Sequence, residues 1–137
     1  MTSTKPLRRL SMRGLIEIHK QLLARYGGQS REVDLVKLEL ALVRAVSFAA
    51  DNKKFMRARL AAGYGWSLLM MRPFAEGNER VALAAMVVLL EMYEVEWKCG
   101  EVEETAMVLD AAAKKIDEEE WTAWVVRNTA ARKATKD

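Results

Sequence analysis

An uninterrupted apolar run from Val81 to Leu90 restricts the folds open to this chain more than any other feature of its sequence. The run has ten residues and no polar side chain, so a helix formed from it has no face that prefers water. It is also shorter than the roughly 18 to 20 residues that a membrane-spanning helix needs. We therefore expect a buried central helix, near residues 78–94, that other helices surround.

Apolar side chains at helical spacing predict five further helices. They cover about residues 11–26, 35–50, 53–71, 101–115 and from 117 onward. Pro73 should end the 53–71 helix at Met71 or Arg72, because a proline disfavours the helical conformation of the residue before it. The last helix has the clearest start, since Asp117 and Glu120 form a capping-box pattern. The predicted fold class is all-α, a compact bundle of about six helices.

A few residues within these segments carry expectations of their own. Gly63 and Gly65 lower helix propensity, but small residues also permit close approach of another helix, so the segment is predicted to stay helical. His19 lies on the apolar stripe of the first helix and is interpreted as a core histidine bonded to a backbone group. Tyr93 to Trp97 is the one stretch that could form a brief extended segment. The stripe predicted to be buried in the 101–115 helix is Val102, Ala106, Leu109 and Ala113.

The length of 137 residues suits a single domain, 1–137, with its own hydrophobic core. Residues 1–10 and 130–137 are expected to be flexible tails. Cys99 is the only cysteine, so no internal disulfide can form, which is typical of the reducing cytoplasm. No apolar stretch directly follows the basic N-terminus, which argues against a secretory signal.

The net charge of +3 comes from basic residues near the two ends of the chain. Basic tails of this kind can contact nucleic acid or an acidic partner. No predicted helix, however, combines Arg, Lys, Asn and Gln on one exposed face, as reading of bases requires. A nucleic-acid-binding regulator is therefore the least favoured of the functions that the sequence suggests.

A polar stretch from Arg72 to Arg80 lies between the 53–71 helix and the central helix. A helix N-terminus has unpaired N–H groups and the positive end of a dipole, so it binds anions. Gly77 lets a phosphate approach the backbone, Asn78 offers an amide donor, and Arg80 supplies a guanidinium. The stretch is therefore a candidate phosphate site.

Two further residues complete this candidate site. Glu76 is the natural oxygen ligand for Mg²⁺ bridging phosphates. Phe74 is expected to point into the core and hold the loop still. The alternative is an ordinary turn in which Glu76 or Glu79 pairs with Arg80 on the surface, and the chemistry of the residues alone leaves both interpretations open.

The same stretch resembles the signature of the Fic/Doc superfamily: His, any residue, Phe, any residue, Asp or Glu, Gly or Ala, Asn, Gly or Lys, and Arg. Here it reads Arg72-Pro73-Phe74-Ala75-Glu76-Gly77-Asn78-Glu79-Arg80. The resemblance is closest to the small Doc-type (death-on-curing) branch. Three more regions are similar to that branch, in the same order: Ile18-His19 to Gly28, Leu38-Glu39 to Arg44, and Ile116 to Glu120 with Trp124.

The resemblance implies a helical protein that transfers part of a nucleotide to a hydroxyl of another protein. Doc-type toxins phosphorylate a threonine of a translation elongation factor under the control of a cognate antitoxin, and other members transfer AMP. By position, Glu76 would hold Mg²⁺, Asn78 and the Gly77 backbone the phosphates of ATP or another nucleotide, and Arg80 the terminal charge. The implied setting is a toxin–antitoxin pair in a bacterial cytoplasm, with no membrane partner.

Two positions depart from the signature. Arg72 stands where the family has the His that accepts the proton of the attacking hydroxyl, and an arginine cannot accept a proton. Loss of general-base catalysis costs roughly a hundredfold to ten-thousandfold in rate. Glu79 stands where Doc-type proteins have Lys and others Gly, and its carboxylate repels a phosphate. The resemblance therefore implies a site that is switched off.

Three explanations fit these departures. The chain is a natural relative that lost transfer chemistry and survives as a protein-binding module, with Arg72 and Glu79 paired. Alternatively, it is a toxin inactivated by a single-base change of a His codon, or a divergent enzyme in which Glu79 serves as the base. The first two are favoured equally over the third.

Overall fold

The computed structural model describes residues 9–50 and 55–131. Within these ranges, six helices and two short strands follow in the order α1 Met12–Tyr26, α2 Leu35–Ala50, α3 Met56–Met71, α4 Asn78–Met92, β1 Val95–Trp97, α5 Glu101–Ala112, α6 Glu118–Arg127 and β2 Thr129–Ala131. The all-α prediction is confirmed. The expected start of the third helix near Lys53 lies outside the described residues. None of the described helices is both long and apolar enough to cross a bilayer.

Helix α4 is buried in the bundle, as its apolar run requires. Val81, Ala85, Met86 and Leu89 have no exposed surface, and no residue of the run from 81 to 90 is fully exposed. α3 packs along α4, and α1, α5 and β1 contact it as well. The prediction that this helix is buried is confirmed, and α3, which packs against α2, α4 and α6, shares the centre of the bundle with it.

Helix α3 stays helical through its two glycines because both positions touch a neighbour. A Cβ on Gly63 would lie 3.1 Å from the carbonyl oxygen of Ala45 in α2. A side chain on Gly65 would meet Met86 of α4 and Trp121 of α6. The glycines therefore allow the close helix approach that the sequence suggested, and they do so toward three helices, α2, α4 and α6.

Residues 1–8 and 132–137 of the two expected tails lie outside the described residues, whereas the parts of the tails next to the domain, at Leu10 and at 130–131, have defined contacts. Leu10 is buried, and its N–H and carbonyl both bond to the hydroxyl of Tyr64. At the other end, Ala130 and Ala131 belong to β2, which pairs with β1 in antiparallel register so that Val95 faces Ala131. The extended segment expected near Tyr93 to Trp97 is β1, and its partner strand was not anticipated because three residues are too few for a pattern.

The predicted buried stripe of α5 is wrong. Val102 is 88% exposed and Leu109 is 59% exposed, whereas Val108 and Ala111 are the residues buried against the bundle. Hydrogen bonds from two indole N–H groups determine which face of α5 is turned toward the bundle. The Nε1 of Trp97 donates to Glu104 at 2.5 Å and that of Trp124 donates to Glu103 at 3.2 Å, so the acidic face is the one that meets the two tryptophans.

Helix α6 begins with the predicted capping box. Asp117 Oδ1 accepts the N–H of Glu120 at 2.8 Å, and Glu120 Oε1 accepts the N–H of Asp117 at 3.2 Å. Trp121 is fully buried, and its Nε1 donates to the carbonyl of Ala62 in α3 at 3.0 Å. α6 is thus fastened directly to α3, the helix whose C-terminal end leads into the polar stretch.

Candidate functional site

The polar stretch forms a short loop between two residues of left-handed backbone. Arg72 ends α3 with φ 47°, and its N–H donates to the Leu68 carbonyl at 3.0 Å. Gly77 precedes α4 with φ 84° and offers no side-chain cap. The N–H groups of the first turn of α4 therefore receive no hydrogen bond acceptor from the side chain of the N-cap residue.

The segment between α1 and α2 pins this loop from outside. Val33 and Phe74 form an antiparallel bridge. The N–H of Asp34 donates to the Pro73 carbonyl at 2.7 Å, and the N–H of Ala75 donates to the Glu32 carbonyl at 3.0 Å. The sequence does not predict this contact, because a single bridge leaves no periodic pattern.

His19 supports the loop from α1. It is 2% exposed, its ring stacks on Phe74 with centroids 4.1 Å apart, and its Nε2 donates to the Glu76 carbonyl at 2.9 Å. Phe74 is 3% exposed and points into the core. The interpretation of His19 as a core histidine is confirmed, and so is the inward position of Phe74.

Asn78 is buried within the loop rather than presented to solvent. Its Oδ1 accepts the N–H of Phe74 at 3.0 Å, and its Nδ2 donates to the carbonyl of Phe74 at 2.8 Å. Only 1% of the residue is exposed. Nδ2 gives one of its two N–H groups to Phe74, and the residue is buried, so donation of the other N–H to a phosphate would require the phosphate to reach it inside the loop.

Arg72 and Glu79 form an ion pair that joins the two ends of the loop, the C-terminal end of α3 and the first turn of α4, which we call the mouth of the loop. Nη1 of Arg72 lies 2.7 Å from Oε2 of Glu79, and the two side chains are 51% and 35% exposed. Burial alone would raise the pKa of the Glu79 carboxyl, but the hydrogen bond from Arg72, a bond from the Glu79 backbone N–H and the Arg72 charge together lower it. The carboxylate thus lies at the helix N-terminus, where anions are stabilised.

Glu76 points away from this pair. Its Oε1 accepts the N–H of Gln29 at 3.0 Å. No group of three or more His, Cys, Asp or Glu side chains among the described residues could hold a metal ion. A Mg²⁺ ion at Glu76 would therefore take its remaining ligands from phosphates and water, which Mg²⁺ commonly does.

Arg80 also turns away from the loop. Its guanidinium carbon lies 4.4 Å from the ring centroid of Tyr26, in a cation–π contact at the end of α1. Glu76, Gly77, Arg80 and His19 line a cavity of about 90 Å³. A shallow groove of about 490 Å³ lies on the other side, along Glu32 to Asp34 and Arg72 to Ala75.

The structure thus divides the predicted site residues into three groups. Arg72 and Glu79 meet at the mouth of the loop. Asn78 and Phe74 build the loop, together with His19, which the sequence offered only as a core residue. Glu76 and Arg80 face the 26–29 segment, so the surface ion pair of Arg80 with Glu76 or Glu79, suggested as an alternative, does not form.

Comparison with known proteins agrees with the signature in this loop. A sequence model of the Fic/DOC family matches residues 9–90, which span α1 to most of α4 and include the whole loop. No curated protein matches the chain. Because the match covers more than half of the chain, we conclude that this protein belongs to the Fic/DOC family.

Proposed function

We propose that this chain is a Doc-like member of the family without transfer activity, and that the Arg72–Glu79 ion pair closes the site where active members hold a base and a nucleotide phosphate. The observation that carries the proposal is the 2.7 Å contact between these two side chains. The two positions that depart from the family signature are partners of each other, so each departure compensates the other.

The chemistry of a general base is missing from this site. The guanidinium of Arg72 has no acceptor atom at any accessible pH. His19 is the only histidine of the chain, and it is buried with its Nε2 donating to a carbonyl. The pKa of Glu79 is lowered by its bonds to Arg72, although burial opposes this, so its carboxylate is a weak base. This argues against a divergent enzyme that uses Glu79.

A nucleotide with Mg²⁺ does not fit the loop in this form. The carboxylate of Glu79 accepts a bond from its own backbone N–H in the first turn of α4, which is where a bound phosphate would place its oxygens. The Asn78 amide is engaged with Phe74. Glu76 remains the candidate metal ligand if the ion pair is removed.

The pairing favours one of the two explanations. A single-base change of a His codon accounts for Arg72 but leaves Glu79 unexplained. A natural relative in which both positions changed accounts for both, since each side chain neutralises the other. We therefore prefer the natural, catalytically inactive relative that acts as a protein-binding module, with the inactivated toxin as the second candidate.

The experiment compares the unaltered protein with Arg72→His, Glu79→Lys and the double variant. Bacterial extract is incubated with ATP labelled on the α- or the γ-phosphate, and label transferred to protein is measured together with growth of expressing cells. We expect no transfer by the unaltered protein, little by Arg72→His, and clear transfer by the double variant. Arg57→His is the matched control, because it makes the same change at the opposite end of α3.

Each result has a definite meaning. Full activity of Arg72→His alone identifies an inactivated toxin with a tolerated Glu79. Transfer by the unaltered protein overturns the proposal. No gain in the double variant, with the thermal unfolding temperature of the protein preserved, shows that more than these two residues separates this chain from active members. An active variant is then the form in which to test a cognate antitoxin and an elongation factor as partners.

A further inference from the structure

A second cavity lies at the other end of α3, far from the Arg72 loop. It is a groove of about 730 Å³ between the end of α2, the start of α3 and α6, lined among others by Phe48, Arg59, Thr122 and Val126. Arg59 and Arg72 lie on and just beyond α3, about 20 Å apart along the helix at 1.5 Å per residue. The groove has the volume of a small-molecule site and shares no residue with the loop.

Two polar atoms in the lining residues of this groove have no hydrogen-bond partner. They are Nε of Arg59 and Oγ1 of Thr122, and each has less than 1 Å² of exposed surface. Thr122 is 4% exposed as a whole residue. Unpaired buried polar atoms are rare in folded proteins, and a bound ligand that supplies the partners is one reason for them.

Arg59 is also available as a cation. Its guanidinium carbon lies 4.7 Å from the ring centroid of Phe48, which covers one face of the planar group. Within residues 9–50 and 55–131, no acidic side chain forms an ion pair with it. Its N–H edge is therefore the natural partner for an acceptor with negative charge.

The other charges of the groove limit what that acceptor can be. Glu118 is held by Arg44, whose Nη1 donates to Oε2 at 2.9 Å, so its charge is already compensated. Glu119 lines the groove on α6, and Arg127 lines it at the end of that helix. The uncompensated carboxylate of Glu119 would repel a doubly charged phosphate more strongly than a single carboxylate, which can pair with Arg59 at lower cost.

We propose that this groove binds a monocarboxylate with an apolar body. The carboxylate accepts hydrogen bonds from Arg59 and Thr122, and the apolar body packs on Phe48, Ala123 and Val126. Because the two polar atoms are covered in the free protein, binding includes rotations of the Arg59 and Thr122 side chains that turn these atoms toward the groove. The site is independent of the transfer chemistry and of its loss.

The test follows the Arg59 Nε–Hε signal and the backbone amides of Thr122 to Val126 in a ¹⁵N-labelled full-length chain. The probes are 3-phenylpropionate, the uncharged 3-phenylpropanol and inorganic phosphate. We expect saturable shifts of these signals with 3-phenylpropionate, and binding at least about tenfold weaker for the other two probes, since a charge-assisted bond is lost or a second charge is repelled. Equal binding of the alcohol or of phosphate, or no saturable shift, overturns the proposal.

Two conservative variants make the test specific. Arg59→Lys keeps the charge but loses the Nε donor, and Thr122→Val keeps the shape but loses the hydroxyl. Both are expected to weaken 3-phenylpropionate binding several-fold, while Arg57→Lys, on the neighbouring exposed position, leaves it unchanged. Thr122→Val should fold at least as stably as the parent, because it removes an unpaired buried hydroxyl. Unchanged binding in both variants would assign the shifts to another surface.

Discussion

Asn78 holds Phe74 through both polar groups of its backbone. One amide side chain accepts the N–H of Phe74 at 3.0 Å and donates to the carbonyl of the same residue at 2.8 Å. Both residues are buried, at 1% and 3% exposure, so water cannot replace either bond. The shape of the loop therefore depends on Asn78, whichever ligand the loop binds.

Replacing Asn78 by alanine should destabilise the protein strongly. The change leaves the N–H and the carbonyl of Phe74 unpaired in the core, and each unpaired group costs about 1–3 kcal/mol. The free energy of unfolding, from urea titration followed by tryptophan fluorescence, measures the loss. Asn78→Asp retains the acceptor but places a carboxylate oxygen against the buried carbonyl of Phe74, so we expect a loss at least as large as that of the alanine variant.

Asn128→Ala is the matched control for this prediction. The Asn128 amide also bonds to the backbone, with Nδ2 donating to the Trp124 carbonyl at 2.9 Å, but it is only partly buried and makes one such bond. Its loss should be clearly smaller than that of Asn78→Ala. Equal losses of unfolding free energy at the two positions would mean that the two hydrogen bonds to Phe74 stabilise the protein no more than the single bond of Asn128.

The Arg72–Glu79 pair should contribute little to stability despite its place in the site. Both side chains are partly exposed, so solvent screening limits the coupling to about 0.2–1 kcal/mol. A double-mutant cycle with Arg72→Ala and Glu79→Ala, in urea titrations at pH 7, gives the coupling directly. A coupling of several kcal/mol would contradict the exposure of the pair.

The same cycle has a predicted pH dependence. The pKa of Glu79 is lowered in the folded protein, because the bonds and charge of Arg72 outweigh the effect of burial. A carboxyl group whose pKa is lower in the folded protein stabilises the fold at pH values above its pKa in the unfolded chain, roughly 4.3 for glutamate. This stability is lost as the pH falls through the pKa of the folded protein. We expect the coupling to be constant from pH 7 to about 5 and to vanish on acidification; coupling that persists with Glu79 protonated would contradict this.

The sequence predicted the features of this fold that depend on the spacing of apolar residues and on contacts between residues close in the chain. The run from Val81 to Leu90 required a buried helix, and Asp117 with Glu120 marked the start of α6. The sequence of α5 did not predict which of its faces is buried. That orientation is set by hydrogen bonds from Trp97 and Trp124, which belong to other elements. Period alone does not contain such tertiary contacts.

In the candidate site, too, local sequence predicted the position of the residues, whereas distant contacts set the directions of their side chains. The signature covers Arg72 to Arg80, which the structure divides between the loop from Arg72 to Gly77 and the first turn of α4, and its predicted position at the start of a buried helix was correct. The directions of Glu76 and Arg80 depend on the N–H of Gln29 and the ring of Tyr26, which lie far away in the sequence. The signature therefore identifies the loop, while long-range partners decide which side chains face its mouth.

Gly27 and Gly28 offer a matched pair for testing the support of Glu76. Gly27 has φ 86° and open space where a methyl group would lie, whereas Gly28 has φ 150° and a side chain there would collide with Leu23 and the Glu76 carboxylate. Gly27 combines φ 86° with ψ 158°, a region that essentially only glycine occupies, so Gly27→Ala should cost about 1–3 kcal/mol of unfolding free energy from the backbone alone. Gly28→Ala should cost more and displace Glu76. Equal costs in urea titrations would show that the contact with Glu76 carries no energy.

Cys99 should be slow to react with alkylating reagents despite being only partly buried. Burial, followed by the hydrogen bond to Glu103 and the charges of Glu103 and Glu104, raises the pKa of its thiol to about 11. The reactive thiolate is then only about one part in a thousand at pH 8, against about a quarter for an ordinary thiol with a pKa near 8.5. The rate of iodoacetamide labelling, followed by mass spectrometry, should therefore rise about tenfold per pH unit from pH 8 to 10. Glu103→Gln removes the nearest charge yet still accepts the Trp124 N–H, so it should label faster at pH 8, whereas Glu101→Gln on the same turn should not. Rapid labelling of the unaltered protein at pH 8, or an equal effect of both variants, would show that the 3.0 Å contact between Sγ and the Glu103 carboxylate does not control the thiol.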